Sequence, residues 1–483
     1  MFLSAAIGIL VSDGKMQWDD LVTKYLPNFN PVGNDRIAKE ATIRHALAHS
    51  IGLSRPQVLL LGPRGSVASE EYGFVDFLNH SPTENEEGQR FNSWWLYNNF
   101  TYGLVGLAVQ EASGQRYSDF VRARILDPLG MNDTAVSQEE VDKISNQAHG
   151  YAKLENGDYS KIDTANFTTG HHTPILAAMG MRSSVRDMLK WSKAVLAAGK
   201  GDQYLPLHGE ALHPENPLRH IDEAWSAEWV GLVDDDFNDD FAYGKGWYRG
   251  YLPTVGLGYM GVNHKTSEED PEYNMKYILG RDSEKKFFVG HNGNMNGYAS
   301  ALYLFPETNS GVIALANGMN LGDAADFAAK IMLQALFDLQ PHVDILELAK
   351  REAHLHKKMY NDIIDKWLAH RNIIQEEANL EDYVGNYEGY STMLNIILRK
   401  ETGHLALMLN SNLATMCDLE LFNRDQFSFQ PTTRDAWLSQ GMIDWDEWFV
   451  GVLRFKRDNA GKIEGLSWEY EPSDTAWFKR IEP

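Results

Sequence analysis

At residue 286 the hydrophobic pattern of this chain changes from the spacing of helices to the period of two that is typical of strands. Three apolar or alternating runs rich in β-forming residues follow, namely "KFFVG", "YASALYLF" and "GVIALAN". The segment "PETNSG" between the last two runs is typical of a hairpin turn. Because helices come first and consecutive strands follow, rather than alternating, the pattern predicts an α+β fold.

The first 200 residues contain several amphipathic or apolar helical patterns. The apolar start of the chain predicts a helix buried on most sides, and Gly14 is typical of the left-handed residue that follows a helix. We also expect helices over residues 41–53 and 183–199, and two helices within 99–126. The segment 201–285 shows no clear period, so the sequence predicts it to be irregular.

The last third of the chain has a different organisation. A long helix with one apolar stripe is predicted over residues 343–372, and short strands separated by turns follow it. That spacing favours a small all-β barrel or sandwich. We therefore divide the chain into a first domain over 1–340, a connecting helix over 341–378 and an all-β domain over 379–483.

Composition excludes several function classes. A hydrophobic content of 43% supports a buried core, whereas a formal net charge of −23 disfavours nucleic acid or anionic membrane surfaces as partners. The single cysteine, Cys417, excludes an intramolecular disulfide and a multi-thiolate metal site. The apolar start has no basic segment ahead of it and is too short to cross a bilayer, so we predict a cytoplasmic protein.

Three short segments contain residue types suited to catalysis. They are Tyr97-Asn98-Asn99 before a predicted helix, His291-Asn292-Gly293 beside a predicted strand, and "HSIGL" at 49–53. Each is weak on its own, because a tyrosine is more often a core aromatic residue and a glycine beside a strand is more often part of a turn. Trp94, Trp95 and Trp247 are candidate apolar walls of a substrate cleft.

The order of these segments resembles the serine β-lactamase and penicillin-binding-protein superfamily, in its class C, esterase and D-aminopeptidase-like branch. The resemblance covers about residues 1 to 320 and rests on "ATIRHALAHSIGL", "YNNFTYGLVGLAVQEASGQRYSDFVRARILDPLGMNDT", "MGMRSSVRDMLKW" and "GHNGNMNGYASALYLFPETNSGVIALANG". It implies a β-lactamase/transpeptidase-like domain, an antiparallel sheet flanked by helices, with the N-terminal strands missing. The C-terminal strands resemble the small β-barrel that often follows this fold.

The resemblance also implies a role for each matching residue. Tyr97 matches the tyrosine that acts as general acid/base in the family, and a neighbouring lysine lowers the pKa of that tyrosine. Asn99 matches the residue that forms hydrogen bonds with the lysine and with an amide of the substrate. His291 and Gly293 match the motif on the strand edge, and the backbone amide of Asn294 matches half of an oxyanion hole. The implied substrate is a small ester, amide or peptide that is hydrolysed or transferred through an acyl-enzyme, without a cofactor or a metal. The sequence does not indicate an oligomeric state.

The chain contains an S-x-x-K at Ser12–Lys15, but its position excludes it as the nucleophile. The pair falls at the far end of the first predicted helix, past its core-facing residues, and Gly14 lies between its members, so the side chains do not share a helical face. In the family the serine and lysine precede this helix, so they are expected immediately before Met1. We therefore expect the chain to be truncated, with a degenerate family member as the alternative, and to be inactive as it stands. Truncation would expose apolar residues of the first helix, including Phe2, Ile7 and Leu10.

Three other interpretations remain open. His45 and His49 have the spacing of zinc ligands on a helix, with His171-His172 as further candidates, although position 46 is Ala46 and supplies no general base. The acidic run at 233–241 lacks the ligand spacing of a calcium loop, so we interpret it as a solvated surface loop. A non-catalytic ligand-binding or interaction protein with a hydrolase-like cleft is the alternative to an enzyme.

Overall fold

The computed structural model describes residues 1–69, 71–85, 88–162, 173–199, 216–232, 240–263, 276–319, 321–372, 379–471 and 474–481. The helices are α1 (Phe2–Ser12), α2 (Val22–Tyr25), α3 (Asp35–Glu40), α4 (Ile43–Leu47), α5 (Gln57–Leu61), α6 (Glu71–Asn79), α7 (Asn99–Ser113), α8 (Tyr117–Val121), α9 (Gln138–Lys143), α10 (Leu176–Met179), α11 (Val185–Ala198), α12 (Ile221–Ala224), α13 (Ala324–Phe337), α14 (Ile345–His370) and α15 (Arg434–Ser439).

The strands of the first two thirds of the chain are β1 (Glu84–Asn85), β2 (Gly88–Gln89), β3 (Tyr151–Lys153), β4 (Tyr159–Lys161), β5 (Trp229–Val230), β6 (Ala242–Tyr243), β7 (Tyr248–Leu252), β8 (Lys286–Met295), β9 (Tyr298–Phe305), β10 (Ser310–Ala316) and β11 (Gly318–Met319). Those of the last third are β12 (Gly385–Gly389), β13 (Thr392–Leu398), β14 (Leu405–Leu409), β15 (Asn412–Asn423), β16 (Gln426–Ser428), β17 (Val452–Arg457), β18 (Ile463–Glu471) and β19 (Asp474–Ile481).

A six-stranded antiparallel sheet, in the order β10-β9-β8-β7-β6-β5, forms the centre of the first domain. The predicted strands after residue 286 are confirmed as β8, β9 and β10. Alternate residues of β9 face two different cores, because successive side chains of a strand point to opposite faces. Leu302 and Leu304 pack with the core that contains α1, and Tyr303 and Phe305 pack with the core that contains α13. The α+β prediction is therefore confirmed.

Helix α1 lies at the centre of the helical side of the sheet. Ile7 and Leu10 are fully buried, so the expectation that they are exposed is wrong. The contacts come from α7, α8, α10 and α12, and small residues on α1 allow neighbouring backbone to come close. A Cβ atom on Gly8 would lie 2.2 Å from the carbonyl oxygen of Arg219. Phe2 is half-buried and stacks on Trp191, with 4.0 Å between the ring centroids.

The end of α1 agrees with the sequence analysis. Ser12 is the last residue of the helix, Gly14 adopts the left-handed conformation with φ of 72°, and Lys15 lies beyond the turn. Ser12 and Lys15 are both exposed at the surface. The two side chains therefore form neither a shared helical face nor part of a cleft.

The helices predicted within 99–126 and 183–199 are present, and the one predicted over 41–53 is shorter. Helices α7 and α8 are separated at Gly114, whose φ is 73°, and the Ser184 hydroxyl caps α11 by accepting the N–H of Asp187. Helix α4 begins after its cap, Thr42, but it ends at Leu47 instead of continuing to residue 53.

The segment 201–285 is not irregular throughout, because three strands of the main sheet lie within it. These strands, β5, β6 and β7, are short, and the turn between β6 and β7 contains Gly244 and Gly246. Short strands give little periodic signal, so the sequence analysis missed them. The acidic run is outside the described residues except for its last two positions.

Strands β12 to β19 form a closed antiparallel barrel, which confirms the barrel alternative. Strand side chains such as Leu394, Leu407 and Leu466 are fully buried, as in an eight-stranded barrel whose interior is filled by side chains. The rings of Tyr383, Tyr387 and Phe427 all pack against Phe455 at centroid distances of 5.1 to 5.8 Å. Helix α14 precedes the barrel, and the described helices contain no segment long and apolar enough to span a membrane.

The barrel contacts the first domain at several polar points. The amides of Asn410 and Asn412 donate hydrogen bonds to the carbonyl oxygens of Ala68 and Val67. Asn296, in the turn between β8 and β9, donates to the carbonyl of Gly441 at 2.8 Å. The turn of the central hairpin is thus tied to the second domain.

Candidate active site

A cleft begins where β8 loses one of its two neighbouring strands. Strand β7 pairs with β8 from Lys286 to Gly290, whereas β9 pairs with it as far as Met295. Residues 291–295 therefore have an edge that no described strand covers. An uncovered edge can form backbone hydrogen bonds with an extended peptide-like ligand.

Tyr97 lies opposite this edge, just ahead of α7. The rings of Tyr97 and His291 are 6.0 Å apart between centroids, so the structure brings these two candidates together. Both side chains are half-buried. Asn99 is the first residue of α7 and is also half-buried.

Asn98 fixes the conformation of the loop that carries Tyr97. Its side-chain oxygen accepts the N–H of Phe100 and thereby caps α7. Its amide nitrogen donates to the carbonyls of Leu53 and Ser54 at 3.2 and 3.0 Å. Asn98 is almost completely buried, so its role is to hold the loop rather than to contact a ligand.

His49 lies beneath the ring of Tyr97. It has a positive φ of 60° and is 2% exposed. The backbone N–H of Asn98 donates to its Nδ1 atom at 3.0 Å. The imidazole stacks on Tyr102 at 5.0 Å and packs at a tilt on Tyr97 at 4.3 Å.

Tyr243, at the end of β6, connects the two sides of the cleft. Its hydroxyl lies 3.3 Å from Nε2 of His49 and 3.0 Å from Nε2 of His291. The residue is fully buried. It therefore forms the floor between the α7 side and the β8 side.

One of the three tryptophans proposed as cleft walls lies beside these rings. Trp95 packs against His49 and Tyr243, both at 5.7 Å. Trp247 is instead buried against Trp225, and Trp94 is an exposed residue under the guanidinium of Arg90. Trp247 and Trp94 are thus accounted for by packing away from the floor of the cleft.

Gly293 and Asn294 follow His291 along the uncovered edge. A Cβ atom on Gly293 would lie 2.7 Å from the hydroxyl oxygen of Ser300, the cross-strand partner, so the glycine also has a packing role. The side chain of Asn294 lies close to the carboxylate of Asp323 at the start of α13, behind the strand.

A buried polar network supports β8 from the same side. The Asn292 side-chain oxygen accepts the hydroxyl of Tyr248 at 2.7 Å. The hydroxyl of Tyr303 donates to Asp326 at 2.5 Å, and Lys330 pairs with the second oxygen of Asp326 at 2.7 Å. These bonds limit the movement of the strand segment that carries His291.

Burial determines the protonation of the rings in the cleft. It raises the pKa of Tyr97 above the usual value, which is the opposite of the lowering that the resemblance implies. Burial also lowers the pKa of His291 to about 4 and that of His49 well below the ordinary value. At neutral pH the cleft therefore presents a protonated phenol and two neutral imidazoles.

A family model described as Beta-lactamase matches residues 1–337, which is more than half of the chain and includes every residue of the cleft. The chain belongs to the beta-lactamase family. The resemblance of the quoted sequence segments to this family is confirmed. The β-lactamase/transpeptidase-like fold of the first domain is confirmed as well.

Individual relatives of this beta-lactamase-family chain match different parts of it. Penicillin-binding protein 4* of Bacillus subtilis (strain 168) is 30% identical over 154 residues, which are 31% of this chain and 32% of that protein. The chain thus aligns with about a third of that relative's length. Unguisins hydrolase ungD' of Aspergillus campestris (strain IBT 28561) is 21% identical over 503 aligned residues, 99% of this chain and 81% of that protein.

A solved structure resembles the whole beta-lactamase-family chain. It is the octameric penicillin-binding protein homologue from Pyrococcus abyssi, with a TM-score of 0.50 and 18% sequence identity. The match covers 99% of this chain and 86% of that chain. At this identity the similarity shows the fold alone, including the barrel after the beta-lactamase domain.

The first turn of α1 reaches the floor of the beta-lactamase-family cleft. A Cβ atom on Gly246 would lie within 3.2 Å of the hydroxyl of Ser4, the backbone nitrogen of Met1 and the hydroxyl of Tyr102. The Ser4 hydroxyl donates to the carbonyl of Lys245 and is 1% exposed, so it is not available as a nucleophile. No serine–lysine pair lies in the cleft among residues that the structure describes.

The structure contradicts the zinc interpretation. Helix α4 ends at Leu47, so His49 does not lie one helical turn from His45. The Nδ1 atom of His45 accepts the N–H of Thr42 as part of a helix cap. Within the described ranges no group of three or more His, Cys, Asp or Glu side chains could hold a metal ion. His171 and His172 lie outside those ranges.

Two residues of this cleft were not among the predicted site residues: His49, for which only the surrounding segment was singled out, and Tyr243. His49 belongs to the "HSIGL" segment that matched the family, and that match was the available signal. Tyr243 lies in the two-residue strand β6, within a segment predicted to be irregular. No periodic pattern points to it.

Proposed function

We propose that this chain carries the substrate cleft of a serine hydrolase or acyltransferase acting on a small ester, amide or peptide. The observation that carries the proposal is that Tyr97 and His291 face each other beside an uncovered strand edge, next to the first turn of α1. The beta-lactamase family membership supports an acyl-enzyme route, since a serine would attack the substrate carbonyl and be released by water or another acceptor.

The strand edge supports a role in binding the substrate and its developing charge. An extended substrate backbone can pair with residues 291–295 as a further strand. The N–H of Asn294 then serves as one donor to the carbonyl oxygen, which becomes negative when the serine adds to the carbonyl. His291 and Gly293 border the same position.

Tyr97 is proposed to move the proton. Its phenol is protonated at neutral pH, so it can donate to the leaving group when the acyl-enzyme forms. Acting first as a base requires a nearby cation that lowers the pKa of the phenol. A lysine ammonium next to the ring supplies that effect, and family membership supports Asn99 as the residue that binds such a lysine.

We propose that the serine and lysine of this route act beside the first turn of α1. That turn lies next to Gly246 and Tyr102 on the cleft floor. A serine and a lysine three residues apart on a helix share one helical face, so one helical turn at this position can supply both groups.

Covalent labelling tests this proposal. The chain from Met1, and the same chain extended by the residues encoded in frame upstream, are incubated with a fluorophosphonate or a penicillin and analysed by intact mass and peptide mapping. We expect no adduct on the first and one adduct on the second, at the serine of an S-x-x-K. Labelling of the first at any of its own serines contradicts the proposal.

A matched pair of variants in the extended chain tests the role of Tyr97. Tyr97→Phe should lower turnover by about 10² to 10⁴-fold because the proton donor is lost. Tyr117→Phe is the control, since Tyr117 is also a buried tyrosine but lies on α8. Equal activity of Tyr97→Phe and the parent protein would remove Tyr97 from the mechanism.

The second candidate function is ligand binding without covalent chemistry. It is favoured by the lack of a serine–lysine pair among the described cleft residues. Isothermal titration of a penicillin into the extended chain distinguishes the two candidates. Saturable, reversible binding with no adduct would support the binding protein over the hydrolase.

A further inference from the structure

The hydroxyl of Tyr243 has three polar neighbours in a part of the cleft that excludes water. Besides Nε2 of His49 and Nε2 of His291, the hydroxyl of Tyr102 is a third polar neighbour. A phenol has only one proton to donate and can accept from other donors. The donor and acceptor in each of the two bonds to histidine can therefore be assigned from the partner of the Nδ1 atom of the same imidazole.

The protonated nitrogen of His49 is fixed by the backbone. The N–H of Asn98, which can only donate, points at Nδ1 of His49. Nδ1 of the neutral ring is thus an acceptor, and the proton is on Nε2. His49 consequently donates from Nε2 to the hydroxyl oxygen of Tyr243.

His291 has the opposite arrangement. Its Nδ1 atom is hydrogen-bonded to the backbone carbonyl oxygen of Asn292, which can only accept. The ring proton is therefore on Nδ1, and Nε2 is left as an acceptor. The neighbour that can donate to Nε2 at 3.0 Å is the hydroxyl of Tyr243.

We propose that Tyr243 is a positioning residue of the acyl-transfer cleft, which accepts a hydrogen bond from His49 and donates one to His291, so that each imidazole is held as a single neutral tautomer. The role of Tyr243 in catalysis rests on the proposed function, whereas the two tautomers do not. The bonds form one directed chain from the Asn98 amide to the Asn292 carbonyl, and the chain fixes the orientation of the imidazole at the uncovered strand edge.

Tyr102 provides an alternative acceptor for the same phenol. The Tyr102 hydroxyl donates its own proton to the carbonyl of Leu47 at 2.8 Å, so its oxygen can only accept from Tyr243. If His291 takes up a proton on Nε2 during the reaction, Tyr243 can turn its proton to Tyr102 and accept from His291. A single hydroxyl rotation thus supports both protonation states of His291.

Nitrogen-15 NMR of histidine side chains tests the tautomers directly in the chain from Met1. Signals are assigned with His49→Gln and His291→Gln. We expect His291 to be protonated at Nδ1 and His49 at Nε2. The opposite tautomer at either ring overturns the proposal, and the tautomers themselves are read from the unsubstituted chain, since the two variants serve only to assign the signals.

Two variants distinguish the effect of the Tyr243 hydroxyl from a general effect of removing a buried phenol hydroxyl near His291. Tyr243→Phe should shift the Nε2 signals of both histidines, because each loses its hydrogen-bond partner. Tyr248→Phe is the matched control: it is equally buried, its ring lies 5.9 Å from His291, and its hydroxyl binds Asn292 instead of an imidazole. Unchanged histidine signals in Tyr243→Phe, or equal shifts in both variants, would overturn the proposal.

Kinetics of the extended chain give the functional measurement. Tyr243→Phe should lower kcat by about tenfold or more, with KM nearly unchanged, because the groups are misoriented but the substrate edge remains. Unchanged kcat would show that the tautomers are held without catalytic effect. Failure of the extended chain to label with a penicillin would instead refute the proposed function, while the NMR result would stand as observed.

Discussion

At the scale of single residues, the protonation of the cleft follows from burial more than from neighbouring charges. His291 and His49 are neutral because a buried imidazolium lacks the solvation that it has in water. Tyr97 keeps its proton for the same reason. The sequence predicted that Tyr97 and His291 lie on either side of a cleft. It did not predict the direction of the Tyr97 pKa shift, because that direction depends on the lysine of an S-x-x-K pair. The described part of the cleft contains no such lysine.

The lowered pKa of His291 predicts acid destabilisation. The folded state binds this proton near pH 4 and the unfolded state near pH 6.5, so the stabilising contribution is present above pH 6.5 and is lost as the pH falls toward 4. Between pH 7 and pH 5 the loss is about 2 kcal/mol. Asp323, whose pKa burial raises to about 6, acts in the opposite direction.

Urea unfolding at pH 7 and pH 5 measures this contribution. In His291→Gln the loss of unfolding free energy between the two pH values should be smaller by about 2 kcal/mol than in the parent chain. His404→Gln, which changes an exposed histidine of the barrel, should leave the difference unchanged. An identical pH dependence in His291→Gln and the parent chain would contradict the buried, neutral state of His291.

At the scale of elements, a buried ion cluster joins the parts of the cleft floor. The Lys245 ammonium is fully buried and bonds to Glu228, which also pairs with Arg44 of α4 at 2.7 Å. The carbonyl of Lys245 accepts the hydroxyl of Ser4 from α1. The cluster therefore fixes α1, α4 and the turn after β6 relative to one another.

Removing the central carboxylate should destabilise the fold. Glu228→Gln leaves the Lys245 ammonium buried without its counter-charge, so we expect a loss of about 3 to 5 kcal/mol in unfolding free energy. Glu40→Gln is the control, because Glu40 pairs with Arg36 at the exposed surface. Its urea midpoint should match that of the parent chain. A Glu228→Gln variant as stable as the Glu40→Gln variant would mean that the cluster is solvated.

The elements also show where sequence patterns are informative. Strands β8 to β10 are long enough for their alternation to be read from the sequence, and α1 is apolar on all sides. Strands β5 and β6 have two residues each and gain their stability from pairing with neighbours, so they have no local signal. The burial of Ile7 and Leu10 depends on α7 and α12, which a local pattern does not place.

At the scale of the whole molecule, the barrel restrains the hairpin that carries His291. Asn296, in the hairpin turn, donates to the carbonyls of Gly441 and Met442. The polar contacts of Asn410 and Asn412 with residues 67–68 lie on the same interface. The strand spacing predicted the barrel. Its packing against the first domain was not predicted, because it depends on the individual asparagine side chains just named, and these form no periodic sequence pattern.

Asn296→Asp tests this docking. The substitution replaces a donor with a carboxylate that faces two carbonyl oxygens, so the unfolding free energy should fall by about 1 to 3 kcal/mol. Asn309→Asp is the matched control, because Asn309 lies in the next hairpin turn and its backbone bonds only locally to Pro306. Equal stability of the two variants in urea would show that the Asn296 contact does not hold the barrel.

The most direct test of the account is a crystal structure of the upstream-extended chain after reaction with a penicillin. We expect the acyl group to be bonded to a serine just ahead of α1, with its carbonyl oxygen against the N–H of Asn294 and the hydroxyl of Tyr97 facing the attached oxygen. An acyl group bound elsewhere, with Tyr97 and the 291–295 edge unoccupied, would contradict it.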